Sequence, residues 1–296
     1  MSARVVSLPE VEPRPRRVAV GTFDGVHLGH REVIRGADAV LTFDPHPVSV
    51  VHPAAAPKLL TTVARKAELV AAMGVEELVV VPFDAAFAAR SAQSFLDDVL
   101  VARLHAIDVS VGENFRFGHR AKGDADLLRG DGRFSTRVVE LLEVDGEIVS
   151  SSHIRGLIAG GAVAYAAKLL GDPYLLAGVV VHGDEVGRDL GYPTANLVPD
   201  DALAVPGHGV YAARAELDDG SEHPAAVSIG VRPTFASGRG ELVEAFLLDW
   251  EGDLYDRILR LRFLERLRGE RRFDSADALV EQMHRDVDRA RAVAVS

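Results

Sequence analysis

At 296 residues with 48% hydrophobic side chains, the chain is long enough for two domains, each burying a core of its own. Its formal net charge of −11 argues against a general nucleic-acid or anionic-membrane surface, so any phosphate has to be held by a local site. There is no cysteine, which excludes disulfides and thiolate metal sites; no apolar run of about 18 residues offers a membrane span, and the first 17 residues lack the apolar stretch of a secretory signal, so the expected location is cytoplasmic.

From Val18 to Leu170, short β-branched runs alternate with helical patterns, which is the signature of a parallel sheet wrapped by helices. The strand candidates are Val18–Val20, Val40–Phe43, Leu78–Val81, Ile107–Val111 and Arg137–Leu141; the Pro/Arg-rich first 17 residues read as a linker. A helix follows Thr61 or Thr62 as N-cap, with Val63, Ala67, Val70 and Ala71 on one face and Gly74 just beyond its end. A second carries Phe95, Val99 and Ala102 on one stripe. The first half is therefore α/β, a doubly wound parallel sheet of the Rossmann type.

Past Gly171–Pro173 the texture changes. LLAGVVVHG, HGVYAARAEL, HPAAVSIG, ELVEAFLLDW and RILRLRF are strand-like runs separated by Gly, Pro and Asp turns, mostly without helix-length spacers, so they pair antiparallel as a β-barrel or sandwich. A C-terminal helix, capped by Asp274 or Ser275, turns Leu279, Met283, Val287 and Ala290 to one side.

Between the first strand and its helix lies GTFDGVHLGH, residues 21–30. An H-x-x-H pair alone is compatible with two surface histidines, and a zinc site would need a third ligand. Here, however, the helix start follows a strand end, where backbone N–H groups and the helix dipole receive phosphate in such folds, glycines permit close approach, and histidines at i and i+3 share one face. In the second half, the Thr194 hydroxyl and Asn196 amide oxygen of GRDLGYPTANL, two apart in an extended segment, suit a hard cation such as Mg²⁺, while Gly187 and Gly191 allow tight backbone around phosphate. By itself PTAN also reads as a turn entering a strand, and Glu244 as the solvent face of a barrel.

GTFDGVHLGH resembles the H-x-G-H signature of nucleotidyltransferases. Together with LTFDPHP, VGENFRFG, SSSHIR, GRDLGYPTANL and GVRPTF, in that order over nearly the whole chain, it resembles the bacterial bifunctional riboflavin kinase and FAD synthetase family. The resemblance implies an FMN adenylyltransferase domain over 1–171 and a riboflavin kinase domain, an antiparallel barrel with a C-terminal helix, over 172–296. It implies that His27 and His30 contact phosphate during adenylyl transfer. Nucleotide contacts fall on Gly21, Phe23, Asp24, Gly29 and Asn114, on Ser151, Ser152 and Arg155 of a distal phosphate motif, and on Gly187 and Arg188. Thr194 and Asn196 would hold Mg²⁺, Glu244 would be the general base toward the riboflavin 5′-hydroxyl, and Arg268 and Glu270 would lie on the flavin side. The implied substrates are riboflavin, FMN and ATP, with Mg²⁺ as cofactor, FAD as product, no nucleic-acid or membrane partner, and a monomer or weak homo-oligomer.

Adenylyl transfer needs no base, since the FMN phosphate is already anionic; positioning and neutralisation of growing charge carry it. The chain departs from the family pattern in three places. Only residues 31–39 separate His30 from Val40, predicting a shortened helix; Ser228 and Phe246 stand where Asn and His are common; and Asp256 stands where Gly is common. Two other functions share these motifs, a riboflavin kinase whose first domain merely binds nucleotide and a non-catalytic flavin-binding regulator.

Overall fold

The computed structural model describes residues 2–182, 192–230 and 242–295, which divide into two compact units between Ser151 and Ser152. In the first unit, six strands lie in the order β1-β4-β3-β2-β5-β6: β1 (Arg4–Ser7), β2 (Arg16–Val20), β3 (Ala39–Asp44), β4 (Glu77–Pro82), β5 (Ala106–Gly112) and β6 (Ser135–Val139). Every pairing is parallel. The helical segments are α1 (Leu28–Ile34), α2 (Pro47–Val51), α3 (Val63–Ala71), α4 (Ala85–Ala88), α5 (Ala92–Ser94, running on in π geometry through Phe95–Arg103) and α6 (Ala125–Arg129).

Alternation along each strand sends side chains to both faces of the sheet. Ala19, Val40 and Leu78 pack against Val33, Ile34, Ala67 and Val70 on one side. Val18, Val20, Leu41, Val79 and Val109 pack against Phe95, Leu96, Val99 and Leu100 on the other. From β2 the chain winds outward through β3 and β4, then returns to add β5 on β2's other flank. The carboxyl end of β2 is thus the topological switch point, where ligands bind in open α/β sheets.

Two expectations are corrected here. The first 17 residues are not a linker: β1 pairs with β4, and Val6, Leu8 and Val11 are buried. Pro9, Pro13 and Pro15 hid that short strand. On the second predicted helix Ala102 is exposed, because π geometry, with i→i+5 bonding, turns Leu96, Leu100 and Leu104 into the core beside Phe95 and Val99. The shortened α1, seven residues long, does complete a parallel β2–β3 crossover. After β6 a small hairpin of β7 (Glu143–Val144) and β8 (Glu147–Ile148) turns on Asp145 and Gly146, both at positive φ.

Helix α7 (Ser151–Ala159), which begins at the last residue of the first unit, and α8 (Val163–Leu170) precede the second unit's closed barrel of order β10-β13-β12-β11-β14-β9. Its strands are β9 (Tyr174–Val181), β10 (Ala195–Pro199), β11 (Gly209–Glu216), β12 (Glu222–Gly230), β13 (Leu242–Leu247) and β14 (Ile258–Arg268), all antiparallel. Small inward residues, Ala213, Ala225 and Ala245, make room for Tyr211 and Phe263, which meet edge to face at 5.4 Å. α8 packs on β9 and β14, and Gly207 N–H donates to Ile158 O at 3.0 Å. Helix α9 (Ala276–Val295) lies over β11, β12 and β14; Ala290 is buried and Leu279, Met283 and Val287 are half-buried. Ser275 Oγ accepts from Ala278 N at 3.2 Å. Asp256 takes φ 60°, a left-handed conformation that glycine adopts without strain and aspartate tolerates.

Candidate active sites

The loop leaving β2 is held in a conformation that its own residues disfavour. Phe23, Gly25 and Val26 have φ of 48°, 88° and 42°, and a β-branched residue in that region persists only where its surroundings impose it. Those surroundings are the segment entering α3. The Asp24 carboxylate accepts from Leu60 N at 2.9 Å and Thr61 N at 3.1 Å, and Thr61 Oγ1 accepts from Gly25 N at 3.0 Å. Ser151 Oγ donates to the Asp24 carbonyl at 2.9 Å. Asp24 and Ser151, both expected among the nucleotide contacts, are therefore engaged in shaping the loop.

The histidines sit together. His27 caps α1, its Nδ1 accepting from His30 N at 3.2 Å, and the two rings stack at 3.5 Å with 17° between planes. That bond requires Nδ1 to be unprotonated, so the His27 proton sits on Nε2. His30 also meets the Phe23 ring edge-on at 5.3 Å. A side chain at Gly29 would come within 3.4 Å of the His27 ring. A cavity of about 1060 Å³ opens at the switch point, lined by Gly21, Phe23, His30 and Asn114. Its volume lies just above the usual range of small-molecule sites, about 300–1,000 Å³. Sequence reading missed the aromatic wall: Phe43, Phe83, Phe87 and Phe115 also line the cavity, with Phe43 and Phe83 at 5.7 Å and Phe83 and Phe87 at 5.6 Å. Phe43 and Phe115 were visible inside LTFDPHP and VGENFRFG; the other two carried no motif. In α7, Arg155 Nη1 donates to Ser152 Oγ at 3.3 Å.

The barrel's polar residues lie on its outer wall. In β13, Val243, Ala245 and Leu247 point inward and Glu244 and Phe246 outward. Glu244 is directly opposite Asn196 of β10 on one side and Ser228 of β12 on the other. Directly opposed residues share a face, so register alone brings Asn196, Glu244 and Ser228 into one row. Asn196 is 7% exposed and its Oδ1 finds no hydrogen-bond donor among the described residues. A buried acceptor in that state suits a hard cation. Thr194 is half-buried, two positions before Asn196.

The segment leading into that row is held through Tyr192 and His284, which sequence reading did not single out. Tyr192 is buried, with its hydroxyl 2.6 Å from His284 Nδ1 of α9 and its ring 5.2 Å from Phe246. Burial, aided by the Asp288 charge, raises the phenol pKa. Arg268, expected on the flavin side, pairs with buried Asp286 of α9 through Nε at 2.9 Å and Nη2 at 2.8 Å. Gln282 donates to the other oxygen of Asp286 at 2.9 Å. Glu270 is exposed, 3.7 Å from His208 Nδ1, and its carboxylate fills the space a side chain at Gly230 would need. Gly187 and Arg188, and most of GVRPTF, lie outside the described residues.

A doubly wound sheet with a histidine-lined switch-point cavity, followed in one chain by a six-stranded barrel with a polar row, defines a two-unit phosphate-transfer protein. The FAD synthetase family model matches residues 10–153 and the riboflavin kinase model residues 170–294. A bifunctional riboflavin kinase/FMN adenylyltransferase of Listeria monocytogenes is 36% identical over 288 residues, covering 93% of this chain and 91% of the relative. One of Escherichia coli K12 is 38% identical over 282 residues, covering 91% and 90%. The chain belongs to the bifunctional riboflavin kinase/FMN adenylyltransferase family. A solved structure titled as a macrolide-efflux protein from Streptococcus pneumoniae is 30% identical with a TM-score of 0.88, covering 97% of this chain and 98% of that one. The efflux role belongs to that title; among the described residues here, no helix is long and apolar enough to cross a membrane.

Proposed function

We infer that this chain phosphorylates riboflavin with ATP to give FMN, and adenylylates FMN with a second ATP to give FAD and pyrophosphate. What supports the reading is that each unit groups candidate residues of its own: His27 stacked on His30, which lines the cavity, and the Asn196–Glu244 pair on the barrel wall. In adenylyl transfer an FMN phosphate oxygen attacks the α-phosphorus of ATP as the bond to pyrophosphate breaks. His27 Nε2–H and His30 would donate to the charge that develops. Gly21, Phe23, Asp24, Gly29 and Asn114 position the nucleotide, together with Ser151, Ser152 and Arg155; Gly187 and Arg188 belong to the kinase site.

In the kinase step the riboflavin 5′-hydroxyl oxygen attacks the γ-phosphorus, its proton passes to Glu244, and ADP leaves. Thr194 and Asn196 would hold Mg²⁺, which when bound neutralises phosphate charge. Arg268 secures α9 against β14 at the flavin side, where Glu270 also lies. The activities divide as 1–171 and 172–296, in a cytoplasmic monomer or weak homo-oligomer acting on small molecules, without a nucleic-acid or membrane partner.

One incubation with riboflavin, ATP and Mg²⁺ tests this. FMN followed by FAD is expected. FMN alone means a kinase with a degenerate first unit, and flavin binding without turnover means a regulator; either result refutes the bifunctional reading.

A further inference from the structure

Beneath the strained loop lies a buried cation that neither half of the reaction scheme uses. Lys66, on the face of α3 between Ala67 and Val70, is 6% exposed. Its Nζ donates to the Thr22 carbonyl at 2.6 Å and to Thr42 Oγ1 at 2.9 Å, and Thr42 Oγ1 donates to the same carbonyl at 2.9 Å. Thr22 immediately precedes Phe23, whose left-handed backbone turns its ring into the core and edge-on to His30. The loop is thus tied down at Thr22 by Lys66 and at Asp24 and Gly25 by residues 60–61. A buried ammonium is costly without partners, and a neutral residue of similar length would fill the same space at less cost. Something about the charge or its hydrogen bonds is therefore needed.

We propose that Lys66 is a positioning residue for adenylyl transfer: its ammonium group fixes the Thr22 carbonyl and, through Phe23, the placement of the His30 ring against the nucleotide. This rests on the adenylyltransferase reading of the first unit. The charged groups facing Lys66 are two carboxylates, Asp24 from the loop and Asp44 from the end of β3. They oppose the effect of burial only in part, and the ammonium pKa falls from 10.5 to about 8. Lys66 is accordingly charged below that pH and loses its third proton above it.

The test is kcat/KM for FMN adenylylation from pH 6.5 to 9.5, with riboflavin phosphorylation measured on the same preparations. kcat/KM reports the free enzyme, so the wild type is expected to lose activity as pH rises through about 8. Lys66→Met should lower adenylylation about a hundredfold, the order expected of a misplaced catalytic group, flatten that limb, and leave phosphorylation within twofold. Thr42→Val removes one acceptor from the ammonium, makes the charged form harder to keep, and should move the limb to lower pH. Wild-type adenylylation by Lys66→Met, or an unchanged limb in that variant, overturns the proposal. Should Lys66→Met fail to fold, Thr42→Val decides alone: a limb moved to lower pH supports the proposal, and an unmoved limb overturns it. A wild-type chain that makes no FAD refutes the parent reading instead, before any substitution is made.

Discussion

Glu77 gives a prediction whose size follows from its surroundings. It is 3% exposed at the start of β4, and Arg16, fully buried on β2, donates to it from Nε at 2.8 Å. Arg4 of β1 bonds its other oxygen, and Arg14 lies 3.1 Å away. The remaining Arg16 donors reach the carbonyls of Glu12 at 2.8 Å, Arg14 at 2.9 Å and Leu104 at 3.3 Å. Burial pushes the Glu77 carboxyl up, but the Arg16 and Arg4 guanidiniums outweigh it and bring the pKa from 4.5 to about 2. At about 1.36 kcal/mol per tenfold, that is about 3 kcal/mol of stability. Because the folded pKa is the lower one, this contribution is full above about pH 4.5 and disappears as pH falls toward 2. Glu77→Gln leaves the Arg16 charge buried without its counter-charge and should cost the first unit about 3–5 kcal/mol at pH 7. The assay is urea unfolding followed by far-UV circular dichroism. Trp250 and all five tyrosines lie at or beyond residue 165, so aromatic fluorescence reports the second unit alone and serves as an internal control. A loss below about 1 kcal/mol, or an unaltered dependence on pH between 5 and 2, refutes the reasoning.

The other expectations concern the two sites. His27→Ala and His30→Ala should each lower FAD formation from FMN by about 10²–10³-fold, measured as pyrophosphate release, with riboflavin phosphorylation within twofold of wild type. Glu244→Gln should lower kinase turnover while riboflavin and ATP still bind, whereas Asn196→Ala should weaken Mg²⁺-dependent nucleotide binding in a calorimetric titration; both should still make FAD from supplied FMN. A fragment beginning at residue 172 should phosphorylate riboflavin. One beginning at 152 should melt higher, since it keeps Val163, Ala166 and Leu169 of α8 buried; equal melting temperatures would mean that α8 adds nothing to the barrel.

The elements legible in the sequence were those whose signal is periodic. Val18–Val20, Val40–Phe43 and Leu78–Val81 are continuous apolar runs because parallel strands are covered on both faces, and each lies within the observed strand. β1 was not legible: four residues amid prolines and arginines become a strand only because the edge of β4 is there to receive them. The stripe of Phe95, Val99 and Ala102 assigned within residues 91–105 failed at Ala102 for a related reason, since a π segment has a different period from the one used to read it.

Chemistry-bearing residues were legible where they came as motifs, and their supports were not. His27 and His30 are three apart, and a short helix start is enough to stack them. Asn196 and Glu244 are adjacent only through the β10–β13 register, which no spacing in the chain discloses. Lys66 and Arg16 are harder still, because each reads locally as a surface cation. Lys66 stands beside Ala67 on a helix whose apolar stripe was identified correctly, yet its meaning depends on the Thr22 carbonyl 44 residues earlier. A buried charge of this kind can be tolerated only if all of its partners arrive together, so it is specified by the tertiary fold and not by the segment that carries it. Asp24 shows the same division: its motif pointed to a nucleotide contact, while its hydrogen bonds to Leu60 and Thr61, which hold the loop's shape, come from residues 36 and 37 positions further on that the motif does not disclose.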